Sequence, residues 1–451
     1  MMRTKIGLSV ALLLVMMQGF AQQKADSIFH LSIQQCIQYA LSNQPNVRVA
    51  KYEVGKANAK VDEIRGIGLP QITGSANFLD YLQIPTTLIP GEFFGGPPNS
   101  FEPIKFGTQY SLTGEIDGSQ IIFDGSYLVG LEAAKTYKDL STQSLTLANI
   151  QAMSAVEKAY FFALVNNWKL QMTTADANRL KKLMDETEKM YQAGFTQKVD
   201  FERIKVNYNN VKTLETTMAK FLTLSYKSLK FQMGMPIKDS IILTDSLQNT
   251  PINPDLNADT SFKASNRIEY AIAQTNLWGS RLQVRRDRYG YLPSLVLIGS
   301  VNRVNQGETT DFFNGSQAWY PTAIIGLKMS IPIFDGLQKS YRTQEDKYTM
   351  QESELQLNTL KESISLEIST STTNLENALE DLKNQQENMR LAQSVEHDTK
   401  IQYEAGTGSN LEVVDAETSL TEAETNYYNS LYNALVANVD YQTAKGTLLK
   451  K

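Results

Sequence analysis

The chain repeats itself, and a repeat this long constrains the architecture before any local reading does. Leu-Pro-Gln-Ile-Thr-Gly-Ser-Ala-Asn-Phe at 69–78 returns as Leu-Pro-Ser-Leu-Val-Leu-Ile-Gly-Ser-Val at 292–301, an offset of 223. Ile-Ile-Phe-Asp-Gly at 121–125 returns as Pro-Ile-Phe-Asp-Gly at 332–336, and Tyr191-Gln-Ala-Gly194 returns as Tyr403-Glu-Ala-Gly406, offsets of 211 and 212. Each copy therefore reads helix, strand, loop, strand, very long helix, turn, helix. The first copy occupies 22–235, with strands expected at about 69–84 and 108–123; the second occupies 262–451, with strands expected at about 292–304 and 320–334. Between them, 236–261 carries Pro236, Pro251 and Pro254 without helical periodicity and reads as a connector outside the long helices.

The strands alternate. In 109–119 Gln109, Ser111, Thr113, Glu115, Asp117 and Ser119 share one face, with Tyr110, Leu112, Gly114, Ile116 and Gly118 opposite. Residues 71–78 repeat the pattern, and 322–331 puts Ala323, Ile325, Leu327, Met329 and Ile331 on one side. In 294–302 the polar face is spoiled by Val296 and Ile298. A soluble sandwich strand alternates too. Strands of about 9–11 residues, however, cross a bilayer when tilted. Four strands close no transmembrane barrel, and an open edge in lipid strands its amide groups, so several chains must share one barrel. Strand counting alone allows two copies or three.

The helices are too long for an ordinary globular domain. Proline is absent from 126–193 and from 337–405, and at 1.5 Å per residue each stretch could span roughly 100 Å. Leu357, Leu360, Ile364, Ile368, Leu375, Leu379, Leu382 and Met389 trace one stripe at mostly three- and four-residue steps. That stripe must be buried against neighbours, as in a coiled coil. Asp124 and Asp335, each followed by glycine where a strand gives way to a helix, read as strand–helix caps. Gly194 and Gly406 suit the left-handed residue that closes a helix and mark two helix-tip turns.

Residues 1–21 combine Arg3 and Lys5, an apolar run from Ile6 to Met17, and small Gly19 and Ala21, the pattern of a signal peptide cleaved after Ala21. Twelve apolar residues cover only about 18 Å of a hydrocarbon core roughly 30 Å thick, too little for an anchor. Catalytic and metal-binding materials are scarce. One cysteine, Cys36, allows no internal disulfide and reads as a small buried hydrophobe, and His30 and His397 are the only histidines. No Walker loop, zinc spacing or nucleophile elbow appears, so no enzyme activity, cofactor or metal is expected. A net charge of -5 argues against a nucleic-acid partner.

These features together resemble the TolC-like outer-membrane efflux proteins. The resemblance rests on Leu-Ser-Ile-Gln-Gln-Cys-Ile-Gln-Tyr-Ala-Leu-Ser-Asn-Gln-Pro at 31–45, both Leu-Pro strand starts, both Phe-Asp-Gly turns and both Tyr-Xaa-Ala-Gly turns, in order. It implies an α+β membrane protein of the outer membrane extending into the periplasm. In it, a homotrimer builds one transmembrane β-barrel, four strands per chain, continuous with a long periplasmic α-helical barrel from the two internal repeats. The connector would lie about the middle of that barrel. The implied partners are outer-membrane lipid, a periplasmic adaptor and an inner-membrane transporter whose docking opens the channel.

The sharpest local match is Tyr403-Glu-Ala-Gly-Thr-Gly-Ser-Asn-Leu-Glu412-Val-Val-Asp415-Ala416. The family places acids at the positions of Glu412 and Asp415 as a periplasmic constriction, and gate contacts at the positions of Asp200 and Tyr403. Three-residue spacing puts Glu412 and Asp415 on one helix face, where a solvated acidic face is the plainer reading. Gly408 replaces the arginine that helps lock well-studied members, Glu412 replaces the usual aspartate, and Val199 stands where a hydroxyl residue is common. The implied function is a passive exit duct for small molecules. A type I protein-secretion duct and, from a different class, a periplasmic coiled-coil scaffold are the alternatives. The long loops 85–107 and about 305–319 are expected to face the cell exterior.

Overall fold

The computed structural model describes residues 28–245, 264–315 and 318–448. The expected leader, 1–21, and the connector beyond 245 lie outside the described residues. In chain order the elements are β1 (Ile28–Leu31), α1 (Ile33–Asn43), α2 (Pro45–Ile67), β2 (Gln71–Asp80), β3 (Thr86–Pro90), β4 (Phe101–Lys105), β5 (Tyr110–Phe123), α3 (Gly125–Gln192), α4 (Lys198–Met233), β6 (Ser240–Leu243), α5 (Ile268–Tyr289), β7 (Ser294–Gly307), β8 (Trp319–Ser330), α6 (Gln338–Glu404) and α7 (Asn410–Ala444). They fall into two compact units. A helical unit draws on the described parts of 1–52, 144–271 and 360–451, and a sheet unit on 53–143 and 272–359.

The helical unit is built around a cluster that includes Cys36, Val156, Tyr160, Leu164, Leu229, Met233 and Leu435. Ser32 starts α1 through a capping box. Its Oγ accepts from Gln35 N, and Gln35 Oε1 accepts from Ser32 N at 2.9 Å. The single leading helix expected from the sequence is in fact two. Gln44 is extended, ψ 128°, because the ring of Pro45 forbids a helical residue before it, and α2 restarts with Pro45 in its first turn. Cys36 is fully buried, and burial pushes its thiol up to about 12, so it behaves as a hydrophobe.

The start of the connector is ordered. β6 pairs in parallel with β1, Ile28 opposite Ser240 through Leu31 opposite Leu243. Asp245 accepts from Ile33 N and from the Tyr160 hydroxyl, both at 2.9 Å, which fixes the segment to the core. Along α6 within this unit, Ile364 and Leu375 are buried and Leu360, Ile368, Leu379, Leu382 and Met389 half-buried, whereas Leu366 and Leu391 off that stripe are exposed.

In the sheet unit four antiparallel strands run in the order β2-β5-β7-β8. The strands are offset from their expected ends. β8 stops at Ser330 because Pro332 supplies no amide to a ladder, while β7 continues to Gly307. Within the long loop 85–107 the chain makes a small hairpin of its own, β3 against β4. The cap at Asp124 is formed: its Oδ1 accepts from Tyr127 N at 2.8 Å, on the first turn of α3. Asp335 acts further out. Its Oδ2 accepts from Lys339 N at 3.1 Å, reaching over Gly336 and Leu337, both left-handed at φ 67° and 68°, before α6 begins.

Candidate functional site

Two surfaces carry the chemistry, one in each unit. The first is the sheet, whose faces follow from its register. Ile72 lies opposite Gly118, Gly74 opposite Ile116 and Phe78 opposite Leu112, while Ile116 meets Val301 and Gly299 meets Ile325. Because paired residues share a face, these side chains form one apolar band across the four strands, bounded at one end by Asp80, Arg303 and Asn305 on the same face. It is not covered within the chain: Ile325 is 81% exposed, and Ile72, Ile116, Val301, Leu327 and Met329 are exposed as well.

The opposite face sets Ser75 against Glu115, Thr73 against Asp117, Asn302 against Glu115 and Ser300 against Asp117. It can hydrogen-bond to water along its length. The spoiled stretch of β7 puts Ile298 beside Ser119 on this face. The sheet order ends at β2 and β8. Each of these strands therefore presents a row of amide and carbonyl groups to whatever lies beyond.

The second surface is the pair of helix tips in the helical unit. Both turns are built alike. Gly194 N donates to Tyr191 O at 3.0 Å and Phe195 N to Met190 O at 2.8 Å; Gly406 N donates to Tyr403 O at 3.0 Å and Thr407 N to Gln402 O at 2.9 Å. With φ of 78° and 75°, Gly194 and Gly406 are the left-handed residues that let each helix close its last carbonyls. Phe195 projects from the first tip, 81% exposed.

At the second tip Ser409 and Glu412 form a capping box. Glu412 Oε2 accepts from Ser409 N at 2.8 Å and Ser409 Oγ from Glu412 N at 3.3 Å. The Ser409 bonds hold the Glu412 carboxyl below the usual glutamate range, although it is fully exposed. Asp415 lies exposed one turn further along α7. Asp200 takes the Thr196 hydroxyl on its Oδ2 at 3.1 Å. Tyr403 packs on Leu183, Ile204 and Val413. A side chain at Gly408 would be crowded, since a Cβ there would stand 3.0 Å from Tyr403 N and 3.2 Å from the Gln402 carbonyl carbon.

Sequence reasoning missed a third polar feature of the helical unit. Arg179 on α3 is enclosed by Asp176, Glu417 on α7 and Glu396 on α6, with Glu424 close by. Glu417 and Glu424 stand seven apart on α7, in line with buried Val413, Leu420 and Leu431. Carboxylates at stripe positions were the available signal.

The chain matches the family model described as "Outer membrane efflux protein" twice over, across residues 36–234 and 251–447. It is 22% identical over 432 residues to "Outer membrane protein TolC" of Escherichia coli (strain K12), covering 92% of this chain and 82% of that protein. It is 21% identical over 318 residues to "Proteases secretion protein PrtF" of Dickeya chrysanthemi, covering 69% and 68%. Its fold matches the crystal structure of the outer membrane protein VceC from Vibrio cholerae with a TM-score of 0.72 at 16% identity, over 92% of this chain and 96% of that one.

Proposed function

The chain belongs to the outer membrane efflux protein family and is an outer-membrane channel of the TolC type, and we propose that three copies join their sheets into one closed barrel, with their long helical hairpins forming a duct across the periplasm. The observation that carries this reading is the sheet. Among the described residues its order ends at two edges, β2 and β8, and one face carries a broad exposed apolar band, with Asp80, Arg303 and Asn305 confined to one end of it. Lipid is the medium in which such a face is stable, and in lipid both edges must be paired, β2 of one copy with β8 of the next. Two consecutive family matches on one chain support the two-repeat organisation.

The duct is a conduit for small molecules and not an enzyme. Export energy comes from an inner-membrane transporter, and docking of that transporter and a periplasmic adaptor opens the helical end. There, Asp415 and Glu412 from three copies gather as the closed constriction. Glu412 is anchored by Ser409, so Asp415 is the acid free to meet passing cations. Asp200 and Tyr403 steady the neighbouring tips.

The mass of the detergent-extracted protein tests the assembly. Three copies per particle are expected, and a monomer that stays soluble without detergent would overturn the reading. Loss of export of small toxic compounds, rather than of a secreted protease, on deleting the gene separates efflux from protein secretion.

A further inference from the structure

Inside the helical unit four carboxyl groups surround one guanidinium. Arg179 Nε and Nη2 donate to the two oxygens of Glu417 at 3.0 and 2.9 Å, and Nη2 also donates to Asp176 Oδ1 at 2.9 Å. Glu396 Oε1 lies 4.0 Å from Nε. Glu417 is 1% exposed and Asp176, Glu396 and Glu424 are buried. Three acids thus share one cation. Glu424 has no direct bond to it, and its Oε2 is buried without a donor. Asp176, whose carboxyl lines the same small cavity as Glu424, and Gln393 are its polar neighbours.

Two carboxylates in that position cannot both be ionised and hydrogen-bonded, because neither then carries a proton to share. We propose that this cluster is a proton-binding clasp between the two helical hairpins. In it, Glu424 on α7 carries a proton that it donates to Asp176 on α3, and loss of that proton unfastens the hairpins from one another.

Every charged neighbour bears on the balance. From α3 come Asp176, Arg179 and Lys169, whose ammonium donates to Asn429 Oδ1. From α6 come Gln393 and Glu396, and from α7 Glu417, Tyr427 and Tyr428. From α4 only Leu214 and Met218 face the small cavity beside Glu424, whose volume is about 50 Å³. Its charged pair, Lys212 and Glu215, is bonded to itself and to Thr174. Among the described residues Arg179 is thus the cation bonded to this set of acids, and it is already committed to Glu417 and Asp176. Burial, and next the charge of Asp176, push Glu424 from the ordinary 4.5 up to about 7, more than a hundredfold in proton affinity.

The sign follows from linkage. A carboxyl whose folded-state value is raised binds more protons folded than unfolded between about pH 4.5 and 7, so stability falls as pH rises through that window. The clasp is fastened in mild acid and released in mild alkali. It concerns the hairpins alone and stands apart from the channel reading.

Infrared difference spectra of the full chain in detergent should show a protonated carboxyl band that titrates near pH 7 and is missing in Glu424→Gln. The melting temperature of the unaltered protein should fall between pH 6 and pH 8. That of Glu424→Gln should stay level and exceed the unaltered protein's at pH 8. An unaltered protein with no protonated carboxyl above pH 6 would overturn the clasp, even if the variant fails to fold. So would a Glu424→Gln protein that keeps the full pH dependence. Neither measurement needs a conducting channel.

Discussion

Ser409 and Glu412 hold one helix end between them, each side chain accepting a hydrogen bond from the other's amide, at 3.3 and 2.8 Å. This reciprocal cap gives Glu412 a structural task that Asp415, three residues on, does not share. Ser409→Ala should destabilise the second tip by about 1 kcal/mol, while Asp415→Asn should leave its stability unchanged. Conductance should divide the other way. Asp415→Asn should weaken cation selectivity in planar bilayers and Ser409→Ala should not. Equal selectivity in both would place the constriction elsewhere. Because Glu412 sits below its ordinary range, its contribution to the cap is present at neutral pH and lost as pH falls through that lowered value.

Gly408 offers a second test at the same tip. Backbone atoms of Tyr403 and Gln402 stand where its Cβ would be, so Gly408→Ala and Gly408→Arg should both lower stability, by about 1–3 kcal/mol. Gly55→Ala on α2, where nothing lies within 4 Å, should be neutral or stabilising in the same thermal melts. An arginine introduced at 408 would deform the turn before it could act as a lock.

On the sheet, Ile325 and Thr322 stand on opposite faces, opposite Gly299 and Asn302 respectively. Ile325→Arg should cost about 2–4 kcal/mol in membrane-inserted protein, as expected of a cation facing lipid near the bilayer centre. Thr322→Arg should be tolerated and should lower cation conductance. Urea titration of protein folded into vesicles measures the first and single-channel recording the second; the reverse order of costs would exchange lumen and lipid.

Asp287 on α5 and Asp346 on α6 form another carboxyl pair, each with an oxygen buried without a donor. Burial first, and then the neighbouring carboxyl of Asp346, push Asp287 up to about 6. Stability should therefore decline as pH rises from the ordinary aspartate range to about 6. Asp287→Asn should raise the melting temperature more at pH 8 than at pH 5.

The faces of the sheet were readable because a two-residue period needs no knowledge of the partner strand. Gln71 to Phe78 and Gln109 to Ser119 sort themselves before they pair. The tip turns were readable for a similar reason, since Gly194 and Gly406 act within one turn of their own helices. Strand ends were not, because Ile331 continues the apolar alternation and only Pro332 ends the ladder. β3 and β4 were hidden by their brevity and by Pro90 and Pro103. The acids of α7 were legible as stripe positions, but Arg179, which decides what they do, lies 238 residues from Glu417 along the chain. No local pattern links the two.

The parallel pair of β1 and β6 bears on how the chain is made. A polypeptide delivered from its N-terminus presents Ile28–Leu31 early, and its partner Ser240–Leu243 only after some two hundred further residues. The first strand must wait, unpaired, until about half of the chain has been delivered. β5 meets β7 across a comparable interval. Such remote pairings make folding slow, and they leave strand edges open to wrong partners in the meantime. The chain therefore has to be kept from collapse by an escort until about two-thirds of it has arrived, and a nascent chain stopped before Ser240 should be a substrate for proteases rather than a partly finished channel.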